Sequence, residues 1–143
     1  MIDARTAPYG ALVLRVALGA MWIAHGLMKV FVFTPAGFGG FLGSLGYPAL
    51  LAWPVILAEV VGGALIVAGL WGRAVSLALV PVMIAAMLVH VPNGWSFSAA
   101  GGGWEYPAFL IAASIAHALI GDGAHALARD PVAARRGTLV AAE

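Results

Sequence analysis

The residues best suited to chemistry in this chain are ionisable side chains inside apolar runs. The segment GAMWIAHGLMKVFVF, residues 19–33, carries His25 and Lys29 four positions apart, and LAEVVGG carries Glu59. A charge in lipid costs roughly 2.5–3.5 kcal/mol on insertion scales, so such residues tend to pair with one another and to mark functional sites. The sequence therefore predicts a buried cluster that can donate and accept protons.

Helical spacing places the ionisable residues of the first apolar run on one face. The stripe consists of Arg15, Leu18, Trp22, His25 and Lys29, which are 3, 4, 3 and 4 positions apart. At about 100° per residue, this spacing keeps all five side chains in a narrow band along a helix. We expect the band to face other helices, although Arg15 could instead extend its guanidinium group to the membrane interface.

The composition is that of a membrane protein. Of 143 residues, 63% are apolar and 9% are charged, and the mean hydropathy is +1.01. A soluble domain uses about 25% charged residues to cover its surface. The chain has no cysteine, which excludes disulfide relay chemistry, thiolate-bound iron–sulfur clusters and covalently attached haem. No basic stripe suited to nucleic acid is present, so nucleic acid is not an expected partner.

The chain is predicted to be an all-α integral membrane four-helix bundle in the lipid bilayer. Four apolar segments, about 11–33, 49–71, 74–91 and 105–121, are each expected to be long enough to cross roughly 30 Å of hydrocarbon. They define a domain over residues 1–123, and residues 124–143 are interpreted as a flexible cytoplasmic tail. The connections 34–48 and 92–104 are rich in glycine and aromatic residues, and could be interfacial anchors or a lid.

The distribution of basic residues predicts the orientation. Lysine and arginine are absent from the two long connections, whereas Arg5 precedes the first segment and Arg73 lies between the second and third. Further arginines, Arg129, Arg135 and Arg136, follow the fourth segment. The positive-inside rule then places both termini in the cytoplasm, as expected in a bacterial-type inner membrane.

This topology predicts which residues form the site. It brings Lys29, His90 and Glu105 to one outer layer, with His25 and Glu59 beneath them. Lys29 and Glu105 could each also be ordinary interfacial charges.

Several histidines and one aspartate are expected to lie outside this site. No metal site is predicted, because no HxxxH or ExxH spacing occurs. Paired-histidine haem ligation is disfavoured, because His25 and His90 differ by roughly 10 Å in expected depth. His117 is expected to bond a backbone carbonyl or Arg15, and Asp122 and His125 are expected to be solvated.

The order of short motifs resembles the DoxX family of small membrane proteins. The matching elements are RVALGAMWIAHGLMK, GYP, AEVVGGALIVAGLWGRA, an alanine-rich segment that ends in His90, and WEYP, together spanning about residues 12–123. The sequence reads GR at 72–73, where the family often has TR. The resemblance implies a four-helix membrane bundle associated with oxidoreductase complexes, including small subunits of thiosulfate:quinone oxidoreduction, or with oxidative-stress assemblies that contain soluble enzymes.

The leading functional hypothesis is a membrane subunit that binds a quinone-like molecule. The candidate catalytic residues are Glu59, His25, Lys29 and Glu105, and the candidate cofactor-binding residues are His25, Lys29, Trp22, Glu59 and His90. Histidine and lysine would donate hydrogen bonds to carbonyl groups, the carboxylates would exchange protons, and the indole would pack against the ring. A partner redox protein or larger membrane complex would carry the electrons. If the chain is an enzyme, it would be a membrane subunit of a quinone-dependent oxidoreductase.

Two other functions remain open at this point. The chain could be a non-enzymatic structural or assembly subunit of a larger membrane complex, because its helices carry small-residue faces suited to packing. It could also be a small transporter or a proton-conducting element, although no inverted repeat supports that hypothesis.

Overall fold

A computed structural model describes residues 3–128, and this part of the chain is all-helical, with no β-strand. The α-helices are α1 (Ala7–Phe31), α2 (Pro35–Ser44), α3 (Ala52–Ala68), α4 (Gly72–His90) and α5 (Glu105–Ile120). Short 3-10 turns, Ala49–Leu51 and Val91–Asn93, lead into α3 and follow α4. The all-α prediction is confirmed, and the four predicted segments correspond to α1, α3, α4 and α5.

Helix α2 was not predicted, because its glycine content and position indicated a loop. Its start is specified locally: Pro35 occupies the first turn, where a missing N–H costs nothing. The Thr34 side chain accepts a hydrogen bond from the Gly37 N–H at 3.1 Å, which caps one of the free amides of the first turn. Packing then holds α2 against the start of α3, since a Cβ at Gly39 would lie 3.2 Å from the Ala49 carbonyl oxygen.

The helices pack in two pairs, α1 against α3 and α4 against α5, and α3 also contacts α4. The α1–α3 crossing is close because it is built on glycine. A Cβ at Gly19 would lie 2.6 Å from the Gly63 carbonyl oxygen, and a Cβ at Gly63 would lie 2.7 Å from the Gly19 carbonyl oxygen. Such backbone contact replaces the hydrophobic drive that is missing between helices in lipid.

The bundle has two chemically different ends. We call the end where α1 and α4 begin and α3 and α5 end the base, and the opposite end, which carries the connections 32–51 and 91–104, the loop end. An apolar core layer separates them, and its buried side chains are Leu18, Trp22, Ile66, Leu79, Met83, Leu110 and Ala113. The ionisable side chains that are buried therefore fall into two separate groups.

The outer surface of the helices is apolar, as expected for an integral membrane protein. Large exposed side chains occur on all the long helices and include Val13, Leu57, Leu77, Leu88, Phe109 and Leu119. By length and composition, three helical stretches can cross a membrane, namely Ala7–Phe31, Ala49–Ala68 and Gly72–Asn93. Helix α5 is equally apolar but has only 16 residues, which is about 24 Å at 1.5 Å per residue.

The predicted flexible tail differs from the structure at its start. Residues 124–128 are anchored to the base, since the Ala124 N–H donates to the Pro8 carbonyl oxygen and the Leu127 N–H to that of Ala68. The rest of the predicted tail, residues 129–143, lies outside the described residues.

Candidate functional site

A salt bridge between α1 and α3 forms the centre of the loop-end site. Lys29 Nζ lies 2.8 Å from Glu59 Oε2 and 3.0 Å from Oε1. The Glu59 side chain is 4% exposed and that of Lys29 is 14% exposed. Nζ also donates to the backbone oxygen of His25 at 3.4 Å. The two charges thus neutralise each other inside the bundle, which lowers the cost of placing them there.

The sequence around His25 explains how Lys29 reaches its partner. A Cβ at Gly26 would lie 2.6 Å from Val60 Cγ2 and 3.2 Å from Glu59 Cβ, so only glycine lets α3 approach at this level. Lys29 follows one turn later on a nearby face. On its other side, Nζ lies 5.3 Å from the centroid of the Phe38 ring on α2, a distance typical of a cation–π contact. Helix α2 therefore helps to cover the salt bridge.

His25 and Tyr106 connect this salt bridge to α5. Their rings are stacked, with centroids 5.6 Å apart and planes inclined by 23°. The Tyr106 hydroxyl is buried and finds no hydrogen-bond partner among residues 3–128, and the same holds for Nε1 of Trp22 one turn below His25. Tyr106 was not among the predicted site residues, although it stands in the WEYP motif beside Glu105.

His90 and Glu105 lie at the predicted end of the bundle but contact a different group of residues. His90 Nδ1 lies 3.0 Å from the Gly101 oxygen and 3.2 Å from the Gly102 oxygen. Glu105 Oε1 accepts a hydrogen bond from the Phe97 N–H at 3.0 Å. Within the described part of the chain, no hydrogen bond or ion pair joins either residue to the Lys29–Glu59 salt bridge. Both side chains hold the connection 91–104 in place.

This connection and α5 enclose an open groove of about 560 Å³ at the loop end. Its lining consists of Trp95, Phe97, Glu105, Tyr106, Ala108 and Phe109. The volume falls within the roughly 300–1,000 Å³ range of small-molecule sites, and an apolar wall with a few polar groups is their usual chemistry. Tyr106 belongs both to this groove and to the stack on His25. The sequence did not indicate this groove, because it depends on how the glycine-rich connection folds.

No metal site is apparent at the loop end or elsewhere in residues 3–128. No three histidine, aspartate or glutamate side chains come close enough there to hold an ion.

A second polar group, the base cluster, consists of Arg15, Ser76, His117 and Asp122. His117 Nδ1 lies 2.8 Å from Ser76 Oγ, and its Nε2 lies 3.2 Å from Asp122 Oδ1. Arg15 donates from one terminal nitrogen to the Asp122 backbone oxygen at 2.7 Å. All four residues are buried.

The base cluster corrects two expectations, those for Asp122 and His117. Asp122 is 6% exposed rather than solvated. His117 bonds Ser76 and pairs with Asp122, instead of bonding a carbonyl group or Arg15. The expected inward position of Arg15 is confirmed, because the residue is 2% exposed and does not extend to the interface. The solvated position predicted for His125 is confirmed, because its side chain is exposed.

Serine, histidine and aspartate in contact raise the possibility of a hydrolytic triad, but the base cluster lacks access. Ser76 and His117 are both 0% exposed, so no substrate can reach the hydroxyl oxygen. The cluster also explains the GR motif: a Cβ at Gly72 would overlap the Asp122 carboxylate. Glycine at this position therefore makes room for the aspartate.

Comparison with known proteins agrees with these motifs. The DoxX family profile matches residues 10–91, which contain the Lys29–Glu59 salt bridge and the α1–α3 crossing. The chain belongs to the DoxX family. This DoxX protein is also similar to the "Putative oxidoreductase CatD" of Bacillus subtilis (strain 168), with 34% identity over 125 residues, or 85% of each chain. No solved structure matches it significantly.

Proposed function

We propose that this DoxX protein is a membrane subunit that binds a quinone-like molecule in the groove at the loop end and delivers protons to it. The observation that carries the proposal is the position of Tyr106. Its ring forms one wall of the groove and stacks on His25, whose backbone oxygen contacts the Lys29–Glu59 salt bridge. Tyr106 thus lies between the groove, which offers a binding surface, and the ionisable groups around His25, which can exchange protons.

The placement in the membrane is part of this proposal. Helix α5 is the fourth crossing, and its short length is accommodated by local thinning of the bilayer and by Trp104 and Tyr106 at the interface. Arg5 and Arg73 belong to the base, whereas the connections 34–48 and 92–104 contain no lysine or arginine. By the positive-inside rule, the base and both termini face the cytoplasm of an inner membrane.

The groove fits a flat aromatic ring with an apolar tail. Trp95, Phe97 and Tyr106 offer ring faces and edges for stacking. Phe109 is 68% exposed on the outer face of α5, where a tail would continue into the surrounding lipid. The Glu105 carboxylate lies at the groove wall, where it can exchange a proton with a bound carbonyl or hydroxyl oxygen.

A quinone, when bound, supplies the capacity to take up two electrons and two protons. In this proposal the chain provides the protons, through Glu105 and the groups around Tyr106. A partner redox protein supplies the electrons. The oxidoreductase name of the similar Bacillus protein supports a redox context.

The test compares Tyr106→Leu with Tyr47→Leu, a matched control at an exposed tyrosine of the same end. Purified protein is titrated with a short-tailed benzoquinone, and binding is followed by quenching of tryptophan fluorescence. We expect the wild type to bind, Tyr106→Leu to weaken binding by about tenfold because it removes an aromatic anchor, and Tyr47→Leu to match the wild type. A wild type that does not bind, or equal binding by both variants, would contradict the proposal.

A structural subunit of a larger membrane complex is the second candidate. The observation that favours it is that Lys29 and Glu59 satisfy each other, and that no hydrogen bond or ion pair within residues 3–128 joins them to a residue lining the groove. Native mass spectrometry of the protein extracted in mild detergent distinguishes the two functions. A stoichiometric large partner, together with no quinone binding, would favour the structural role.

A further inference from the structure

The segment that follows α5 turns back and covers the base of the bundle. We infer that residues 121–128 form a latch, which docks on α1 and α3 and opens while the helices remain folded. The inference does not rest on the proposed function. It rests on how the segment is held, on what lies beneath it and on how little apolar surface secures it.

Arg15 provides the side-chain hydrogen bonds that hold the latch. One terminal nitrogen donates to the Asp122 oxygen at 2.7 Å and the other to the His125 oxygen at 3.4 Å. Two backbone N–H groups of the latch, those of Leu127 and Ala128, donate to the Ala68 and Gly69 oxygens at the end of α3. The latch therefore joins the start of α1 to the end of α3.

The seat of the latch leaves no room for added atoms. A Cβ at Gly123 would lie 2.5 Å from the Pro8 carbonyl oxygen and 2.6 Å from Ala11 Cβ. Gly123 has a φ of +70°, which also favours glycine. Ala11 is 4% exposed beneath this contact. It is therefore a natural reporter for whether the latch is closed.

Little hydrophobic burial holds the latch closed. Leu127, its largest apolar side chain, is 75% exposed. The net stabilisation from each hydrogen bond is small, because water replaces the bond on opening. One buried polar atom of the base cluster, Arg15 Nε, has no hydrogen-bond partner among residues 3–128, whereas Asp122 Oδ1 pairs with His117 Nε2 at 3.2 Å. Opening would hydrate Arg15 Nε, which favours a local transition over global unfolding.

Opening of the latch leaves the loop end intact. His117 and Tyr106 are eleven residues apart on α5, which is about 16 Å at 1.5 Å per residue. The apolar core layer, including Leu110 and Ala113, lies between them. Opening of the latch therefore exposes the base cluster and leaves the loop-end site unchanged.

The absence of cysteine from the chain allows a direct test by thiol labelling. An Ala11→Cys variant is treated with a maleimide in detergent, and Tyr9→Cys, which is exposed, serves as the unprotected reference. We expect Cys at position 11 to react at least tenfold more slowly than Cys at position 9. Addition of Arg15→Gln should accelerate labelling at position 11 by about ten- to a hundredfold, since it removes charged hydrogen bonds. The matched control Arg5→Gln, which also removes one arginine, should change nothing.

A buried probe at the loop end separates latch opening from unfolding. Ala52→Cys, at a position 2% exposed, should stay protected in the Arg15→Gln background. If it also becomes reactive, Gly123→Ala decides, because its Cβ would displace the latch from the start of α1 while Arg15 and every other helix residue stay wild type. Gly10→Ala is its control, at a site with nothing within 4 Å. Reactive Cys at position 11 with protected Cys at position 52 then supports the latch. Equal protection of position 11 in all backgrounds, or joint exposure of both positions in Gly123→Ala, would overturn it.

Discussion

At the scale of single residues, the loop-end site follows from the cost of isolated charge in an apolar bundle. Lys29 lies near the end of α1 and finds its counter-ion on α3, so the two charges neutralise each other inside the bundle. A buried pair of this kind makes a small net contribution to stability, but loss of one partner is expensive. The salt bridge therefore fixes which face of α1 meets α3.

The high cost of losing one partner of a buried pair leads to a stability prediction. Glu59→Gln leaves Lys29 without its counter-ion and should lower the free energy of unfolding by about 3 kcal/mol, near the low end of values for buried pairs because Lys29 is partly exposed. The double variant Lys29→Gln/Glu59→Gln should recover part of the loss. Thermal or denaturant unfolding in detergent measures both. Losses in the two single variants that simply add in the double variant would show that the residues do not interact.

Sequence reasoning gathered Lys29 and Glu59 into one polar group but did not identify them as a pair. It placed Lys29 in the outer layer with Glu105, and Glu59 in the layer beneath with His25. It was less informative for His90 and Glu105. The connection 91–104 offers free backbone groups, and at a membrane interface such groups require partners. His90 and Glu105 supply them, and no contact in residues 3–128 links them to the salt bridge.

At the scale of elements, close approach of helices decides the architecture. The backbones of Gly19 and Gly63 lie against each other, and seven residues after Gly19 the backbone of Gly26 lies close to Val60. Sequence reasoning identified the small residues of α3 but not their glycine partners in α1. The sequence does not specify the rotation of α1 about its axis relative to α3. Without it, a glycine of α1 cannot be assigned to the helix contact.

The crossing predicts a position-specific response to alanine. Gly63→Ala places a Cβ against the Gly19 carbonyl oxygen and Ile23, and such overpacking typically costs about 1–3 kcal/mol. Gly10→Ala has nothing within 4 Å and should be neutral or stabilising by up to about 1 kcal/mol, because alanine has the higher helix propensity. Melting temperatures in one detergent compare the two variants. Equal effects would mean that α1 and α3 do not cross at Gly63.

Sequence reasoning missed two elements, helix α2 and the latch, for different reasons. Helix α2 reads as a loop because glycine is a poor helix former, yet its cap and its contact with Ala49 define a helix. The polar residues Asp122 and His125 led to the prediction that the segment after α5 is solvated. In the structure, Arg15, which lies 107 residues before Asp122, holds this segment in place. The Thr34 cap of α2 is a local signature that sequence reasoning missed, whereas the contact between Arg15 and Asp122 has none.

At the scale of the whole molecule, an apolar middle separates two polar ends with different tasks. The loop end combines a groove with the salt bridge, whereas the base is closed by hydrogen bonds to the latch. All-α architecture and membrane insertion were predictable, because composition and segment length determine both. The division of the buried polar residues into two groups was not, since it depends on packing across all four long helices.

Orientation in the membrane is testable with single cysteines in this cysteine-free chain. Ser98→Cys, exposed at the loop end, should react with a membrane-impermeant maleimide applied to spheroplasts. Ala4→Cys, exposed near the start of α1, should react only after the membrane is permeabilised. The opposite pattern would invert the proposed topology. Labelling of both positions in intact spheroplasts would contradict the three proposed crossings, α1, α3 and α4, that separate them.

The most direct measurement is the location of a photoreactive quinone on the protein. The wild type in membranes is irradiated with an azido-benzoquinone, and the adducts are mapped by peptide mass spectrometry. We predict adducts on residues 95–109, around Tyr106, which are reduced in the presence of excess unmodified quinone and in Tyr106→Leu. Adducts spread over the lipid-facing surfaces of α3 and α4, without competition by unmodified quinone, would contradict a quinone site at the loop end.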